Sequence, residues 1–232
     1  MSEAENPNLR LHAGPSTLGG ALGVFVRHRS PQIIATIFAA ALGARIYVGT
    51  VHWVDLVILA GIIAVWPFLE WMIHVFILHA RPRKIGPWTL DPFAARKHRA
   101  HHRDPWRFEI LFFPTRVFVW VLPVVAALWY VSFELPQALT GLAGVFGVLL
   151  HYEWVHFMSH TRYKPKLGPY QKMWRQHRLH HCKNEHYWQG VTTRMGDRLF
   201  GTLPKSPNDV PTSPTCRTLG YEEDLGVGER AA

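Results

Sequence analysis

From Leu56 to His79 the chain reads LVILAGIIAVWPFLEWMIHVFILH. Apart from Pro67 and Glu70 the stretch is apolar up to its first histidine, and it exceeds the roughly 20 residues that a helix needs to cross a bilayer. It closes on two imidazoles, His74 and His79. The arrangement returns further on, where a largely apolar run from Ala138 to Phe157 leads into His156-x3-His160. Two more boxes, His98-x2-His101-His102 and His177-x2-His180-His181, lie in the polar segments that follow these two runs. The fold expected is therefore all-α and integral to a membrane, with four transmembrane helices at about 33–51, 56–78, 117–135 and 138–157. Paired as two hairpins with short outer turns, they leave a helical cytosolic cap to hold a histidine-rich dimetal site.

The charge pattern gives the topology. Although mean hydropathy is near zero and the net charge is +9, the basic residues are grouped: three Lys/Arg precede Ile33, eight lie from Arg81 to Arg107 and twelve follow Thr161. The turns around Thr50 to Trp53 and Ser132 to Pro136 carry none. By the positive-inside rule the basic side, both termini and the metal site are expected in the cytoplasm, facing anionic lipid headgroups. No groove-sized basic helix appears, so nucleic acid is excluded as a partner. Residues 1–32 read as a cytosolic N-terminal arm, 33–204 as the membrane domain and 205–232, rich in Pro, Ser, Thr and acids, as a loose C-terminal tail. Glu3 and Glu5 precede the first positive charge, so no cleaved leader is expected. Two cysteines, Cys182 and Cys216, make no disulfide framework and fit a reducing compartment.

Ten of the 15 histidines fall in the four boxes. Since one ion takes at most about six ligands and imidazole suits iron, zinc, copper and nickel, ten imply two ions. On a helix, residues at i, i+3 and i+4 share a face, so His98, His101 and His102 project together, as do His177, His180 and His181, and His156 and His160. Asp91-Pro92 is placed to start the helix of the second box and Gly168-Pro169 that of the fourth. His74 and His79, five apart, diverge by about 140° on an α-helix, which suits two ligands only if the helix is ending or each serves a different ion. Spacing does not assign histidines to ions. Glu70 and Glu153, four before His74 and three before His156, are positioned either to accept the imidazole N–H that the metal does not use or to form helix-face salt bridges. His12, His28 and His52 read as surface residues. His151 reads as lining a substrate path or as polar packing, His186 as an extra ligand at most, and Cys182 as a thiolate ligand or a packed thiol. No zinc-peptidase box, phosphate loop, dinucleotide fingerprint or serine elbow occurs, so electrons for any redox chemistry come from another protein.

The segments HVFILH, HRAHH, HFMSH and HRLHH in this order, followed by GVTTRMGDRLFGT at Gly190–Thr202, resemble the fatty acid hydroxylase superfamily, which includes sterol desaturases and fatty acid 2-hydroxylases. The resemblance covers roughly Glu70 to Pro204. It implies an O2-dependent membrane lipid hydroxylase, a non-haem di-iron monooxygenase acting on a fatty acyl or related lipid. The histidine ligands would carry over onto His74, His79, His98, His101, His102, His156, His160, His177, His180 and His181, with two iron ions (zinc able to replace them in purified protein) and O2 as co-substrate. Asp197 matches the acid of the terminal motif and would brace the cap. The electron donor would be external, cytochrome b5-like or a ferredoxin with its reductase, since no attached cytochrome b5 domain is expected. The length favours a bacterial inner membrane, and the same topology would serve in the endoplasmic reticulum. Within the superfamily the alternatives are a sterol or carotenoid hydroxylase or a desaturase. Outside it stands a non-enzymatic zinc-binding membrane protein or metal transporter, which would place its ligands near the bilayer midplane.

Overall fold

The structure, a computed structural model, describes residues 14–221. Residues 1–13 of the N-terminal arm, His12 among them, and residues 222–232 of the tail lie outside the described residues. The described chain is mostly helical: α1 Leu18–Phe25, α2 Arg29–Val48, α3 Trp53–Met72 continued by a π-helix Ile73–Leu78, α4 Phe93–Arg103, α5 Phe108–Leu111, α6 Thr115–Ser132, α7 Leu135–Ser159, α8 Gly168–Cys182 and α9 Met195–Leu199. A two-stranded antiparallel hairpin, β1 Arg83–Ile85 and β2 Trp88–Leu90, interrupts them. Four helical stretches are long and apolar enough to cross a membrane: Arg29–Val48, Trp53–Leu78, Phe108–Ser132 and Leu135–Ser159. Three of them start three or four residues before the apolar run expected from the sequence, and the third in chain order starts nine before it because the short helix α5 is included. Pro67 and Pro123 lie inside α3 and α6 without ending them, as neighbours in a membrane protein allow.

By packing the chain divides into two units. One comprises residues 22–66 and 112–154. Its core is built from Ile34 and Ala41 of α2, Phe118 of α6, and Leu142, Ala143 and Phe146 of α7. It also buries Arg45, a charge inside a membrane-length helix. The guanidinium meets the Asp55 carboxylate at 2.8 Å, donates to the Thr140 hydroxyl at 2.9 Å and also reaches the Thr50 carbonyl at 2.9 Å. An intramembrane charge is tolerated when it is paired and bonded in this way, and here it ties the α2–α3 turn.

The other unit comprises residues 67–111 and 155–221 with the short stretch 14–21, and carries all four histidine boxes. The helix of the fourth box begins as expected, with Pro169 in its first turn. The second begins one residue later than expected: Pro92 is the N-cap and makes no side-chain cap. Asp91 instead pairs with the buried Arg99 at 2.5 Å, a charge-assisted bond stronger than a cap. Composition reads residues 205–232 as a loose tail, and the described part, as far as Tyr221, is packed. Val210 and Cys216 are buried, the Ser213 N–H bonds the Lys183 carbonyl at 2.7 Å, and the Thr215 hydroxyl bonds Glu185 at 2.5 Å. A polar composition conceals packing of this kind because backbone and hydroxyl groups make most of the contacts.

One glycine fixes how α9 meets α3. A Cβ on Gly196 would stand 2.7 Å from the Trp71 Cβ and 2.8 Å from the Pro67 carbonyl oxygen, with no flexible atom to yield. Gly196→Ala is expected to lower stability by about 1–3 kcal/mol through overpacking. Thermal unfolding in detergent checks this, with Gly19→Ala, where nothing lies within 4 Å, leaving the midpoint nearly unmoved.

Candidate metal centre

The ten box histidines meet in two groups of five. His74, His79, His98, His102 and His180 form one, His101, His156, His160, His177 and His181 the other, and within each group the ligand nitrogens all lie within 4.8 Å of one another. The His-x2-His-His boxes are split between them. On α4, His98 and His102 join the first group and His101 the second; on α8, His177 and His181 join the second and His180 the first. Residues at i and i+4 stand nearly above each other, whereas i+3 is offset to the other side of the line, so one helix feeds two adjacent points. Nine of the ten side chains are buried and His79 nearly so.

His74 and His79 come together through a local change of helix. Residues 73–78 form a π-helix, and the His79 N–H bonds the His74 carbonyl at 3.0 Å. A turn closed at i+5 sets the fifth residue almost over the first and removes the 140° divergence. Their ring centroids are 4.8 Å apart.

Three imidazoles of the first group are held by backbone carbonyls. His74 Nδ1 lies 2.5 Å from the Gln189 oxygen, His102 Nδ1 2.8 Å from that of Cys216, and His180 Nδ1 2.8 Å from that of Tyr187. A carbonyl only accepts, so each Nδ1 carries the proton and each Nε2 presents a lone pair. The His74 and His102 Nε2 atoms both stand 3.1 Å from the His98 Nε2, which as a neutral ring has at most one proton to give. At least one lone pair is left facing another, an arrangement that a cation relieves. The second group converges likewise, with Nε2 separations of 3.2 Å for His101–His156, 2.9 Å for His160–His177 and 3.1 Å for His177–His181. The donor set fits two ions that accept nitrogen ligands, and no acid or thiol belongs to either group.

Burial holds these rings neutral. It pushes His98, His101, His160, His177, His180 and His181 well below the ordinary imidazole value and His102 down to about 3. An unfolded chain takes up protons below about pH 6.5 while the folded one does not, so each buried ring removes about 1.4 kcal/mol of stability per pH unit as the pH falls through that value. Metal-free protein is therefore expected to lose its helical circular dichroism between about pH 6.5 and 5, and metal-loaded protein to hold its signal to lower pH.

The acids singled out by spacing act on backbone. Glu70 does not take the His74 proton. Its carboxylate accepts the N–H groups of Val191 and Thr192, the latter at 2.8 Å, and the Thr192 hydroxyl. Asp197 accepts the N–H of Gln189 at 2.7 Å and of Gly190 at 3.0 Å, and the Thr202 hydroxyl at 2.5 Å. Both acids thus brace the loop whose Gln189 carbonyl orients His74. Glu153, in the other unit, accepts the Ser30 hydroxyl at 2.7 Å and the Phe113 N–H at 2.8 Å. His186 and Cys182 join neither group; His186 lies 3.6 Å from Glu185 and the Cys182 thiol is exposed. His151 is exposed as well. His28 stacks on Phe112 with ring centroids 4.2 Å apart, and the His52 ring accepts the Val54 N–H at 3.3 Å. What spacing missed are the carbonyls of Gln189, Tyr187 and Cys216, which carry no side-chain signature. Arg178 was also missed. It donates to the Ser159 and Thr161 carbonyls at 2.9 and 2.5 Å, beside His160, while lying 4.0 Å over the Trp174 ring and 5.0 Å over Trp106.

With this geometry in view, comparison with known proteins is decisive at one level. The sequence profile described as fatty acid hydroxylase matches residues 58–202. The chain belongs to the fatty acid hydroxylase family. The matched region contains all ten box histidines and Asp197. Among curated relatives, the chain is 26% identical over 154 residues to the dihydroceramide fatty acyl 2-hydroxylase FAH2 of Arabidopsis thaliana, covering 65% of this chain and 62% of that protein. It is 29% identical over 154 residues to the fatty acid 2-hydroxylase of Homo sapiens, covering 62% and 38%. To the ceramide very long chain fatty acid hydroxylase SCS7 of Saccharomyces cerevisiae it is 29% identical over 151 residues, covering 62% and 37%. The chain thus spans less than two thirds of the length of these relatives. A solved structure of full-length scs7p, with only the hydroxylase domain visible, superposes with a TM-score of 0.63 at 25% identity, covering 79% of this chain and 68% of that one.

Proposed function

We propose that this family member is an O2-dependent hydroxylase of a lipid acyl chain, working with two iron ions held by the two histidine groups. The observation that carries the reading is the pair of buried, all-imidazole groups, five nitrogens each, in a chain with four membrane-length helices. Bound there, iron supplies the activation of O2, and the overall balance is RH + O2 + 2 electrons + 2 protons giving ROH + water, the electrons coming from an external donor such as a cytochrome b5-like protein or a ferredoxin. Neutral nitrogen donors leave the full charge of two divalent ions uncompensated, which favours the reduced metal that must meet O2. The five nitrogens of each group would hold one ion.

The chain's own residues do the rest. The carbonyls of Gln189, Tyr187 and Cys216 fix tautomer and ring direction of His74, His180 and His102 before metal arrives. Burial excludes bulk water from the groups, and the proposed position on the cytoplasmic side, given by the basic segments, opens the site to lipid and to a soluble donor. The names of the relatives point to a fatty acyl chain, free or in a ceramide, hydroxylated at C2. Two hairpins and a cytosolic cap are the proposed topology.

The test is mass analysis of acyl chains from cells making the iron-loaded protein under 18O2. One 18O per product, at C2 and absent without the protein, is the expected result. Iron-loaded protein whose host lipids show no new hydroxyl or double bond overturns the reading.

A further inference from the structure

The segment Val191–Thr202 packs against the last turns of α3. Gly196 packs on Pro67 and Trp71, the Phe200 ring stacks on Trp71 with centroids 4.1 Å apart, and the Trp71 indole N–H bonds the Thr202 hydroxyl at 2.9 Å. Glu70, which takes the N–H groups of Val191 and Thr192, belongs to the membrane-length stretch Trp53–Leu78.

A second observation agrees. The backbone here finds its partners inside the protein. Gln189 and Gly190 donate to Asp197, Val191 and Thr192 to Glu70, Met195 to the Thr193 hydroxyl, and Phe200 to the Gly196 carbonyl. Thr202 and Leu203 donate to the Asp197 carbonyl. Irregular backbone can border lipid only when such groups are satisfied within the protein, a condition this segment meets. Two buried carboxylates are committed to that purpose. The outer face is meanwhile apolar: Met195, Leu199 and Phe200 are 50%, 64% and 42% exposed, continuing the exposed apolar surface of Leu69, Met72 and Phe76 on the spanning stretch. Arg198, exposed between them, is long enough to carry its guanidinium up to headgroup phosphates.

We propose that Val191–Thr202 is a membrane-embedded lip whose Met195, Leu199 and Phe200 side chains contact the acyl chains of bilayer lipids. Its root, Gln189, orients His74, so the lip joins the bilayer to the histidine groups. The inference rests on the membrane reading of α3 and is independent of the reaction catalysed.

The test places a nitroxide at Leu199→Cys in the full chain with Cys182→Ser and Cys216→Ser, reconstituted in phosphatidylcholine bilayers. Leu69→Cys serves as the bilayer reference and Asn208→Cys as the aqueous one. The Leu199 label is expected to collide with O2 in preference to a water-soluble nickel chelate, as at Leu69, and to meet the chelate several-fold less often than at Asn208. A Leu199 label that behaves as at Asn208 overturns the proposal, and so does one shielded from both reagents, which would mean a protein partner or second copy covers the face. A Leu69 label that is itself aqueous would instead defeat the membrane reading. If Leu199→Cys fails to fold, Met195→Cys reads the same face.

Discussion

His101→Ala and His180→Ala are each expected to abolish hydroxylation, with turnover at least about 100-fold down, while leaving a chain that still inserts in the membrane and keeps roughly one ion. They strike different groups: His180 belongs with His74, His79, His98 and His102, and His101 with His156, His160, His177 and His181. Removing one of five nitrogens also leaves space where an imidazole was buried, so the ion of that group is lost or loosened while the other keeps its full set. On the proposed two-iron reading both variants lose turnover although they lose different ions. Metal content and product formation on the same samples check this. A variant that retains both ions and full turnover removes its histidine from the site.

The second large effect is expected at Asp197. Its carboxylate accepts the N–H groups of Gln189 and Gly190 and the Thr202 hydroxyl, and a buried donor without a partner costs about 1–3 kcal/mol. Asp197→Ala is therefore expected to destabilise the chain by about 3–5 kcal/mol, a fall of roughly 10 °C in unfolding midpoint. Once the Gln189 carbonyl is released, His74 loses its orientation and metal affinity is expected to drop about 10–100-fold. Asp197→Asn, which keeps one acceptor oxygen, should fall between the two. Thermal unfolding with and without metal, alongside a competition titration of metal affinity, separates the effects. Unchanged affinity in Asp197→Ala would mean that the loop does not act on the metal through His74.

These expectations also mark what the residues disclosed in advance. Four apolar runs and four histidine boxes were legible because both depend on side-chain type at helical spacing. The allocation of His101 apart from His98 and His102 was not, since residues at i, i+3 and i+4 share a face yet reach two points a few ångströms apart. The approach of His74 to His79 needed a π-helix, which no residue in IHVFIL announces. Backbone acceptors are invisible to any reading of residue types, so the carbonyls of Gln189, Tyr187 and Cys216 came only with the structure. With Cys216 came the packed tail, which bonds His102 from 114 positions away in sequence. Spacing set Glu70 against His74, whereas its buried carboxylate accepts the Val191 and Thr192 backbone N–H groups, partners that no residue type announces.

The most direct test of the central claim is the number of metal ions per chain in protein purified gently from its host. Two buried groups of five imidazoles predict about two ions per chain, iron in the active protein, neither of them removed by washing at neutral pH. A chain that folds with its helical signal intact and holds no stoichiometric metal, even after iron is supplied under reducing conditions, would contradict the account.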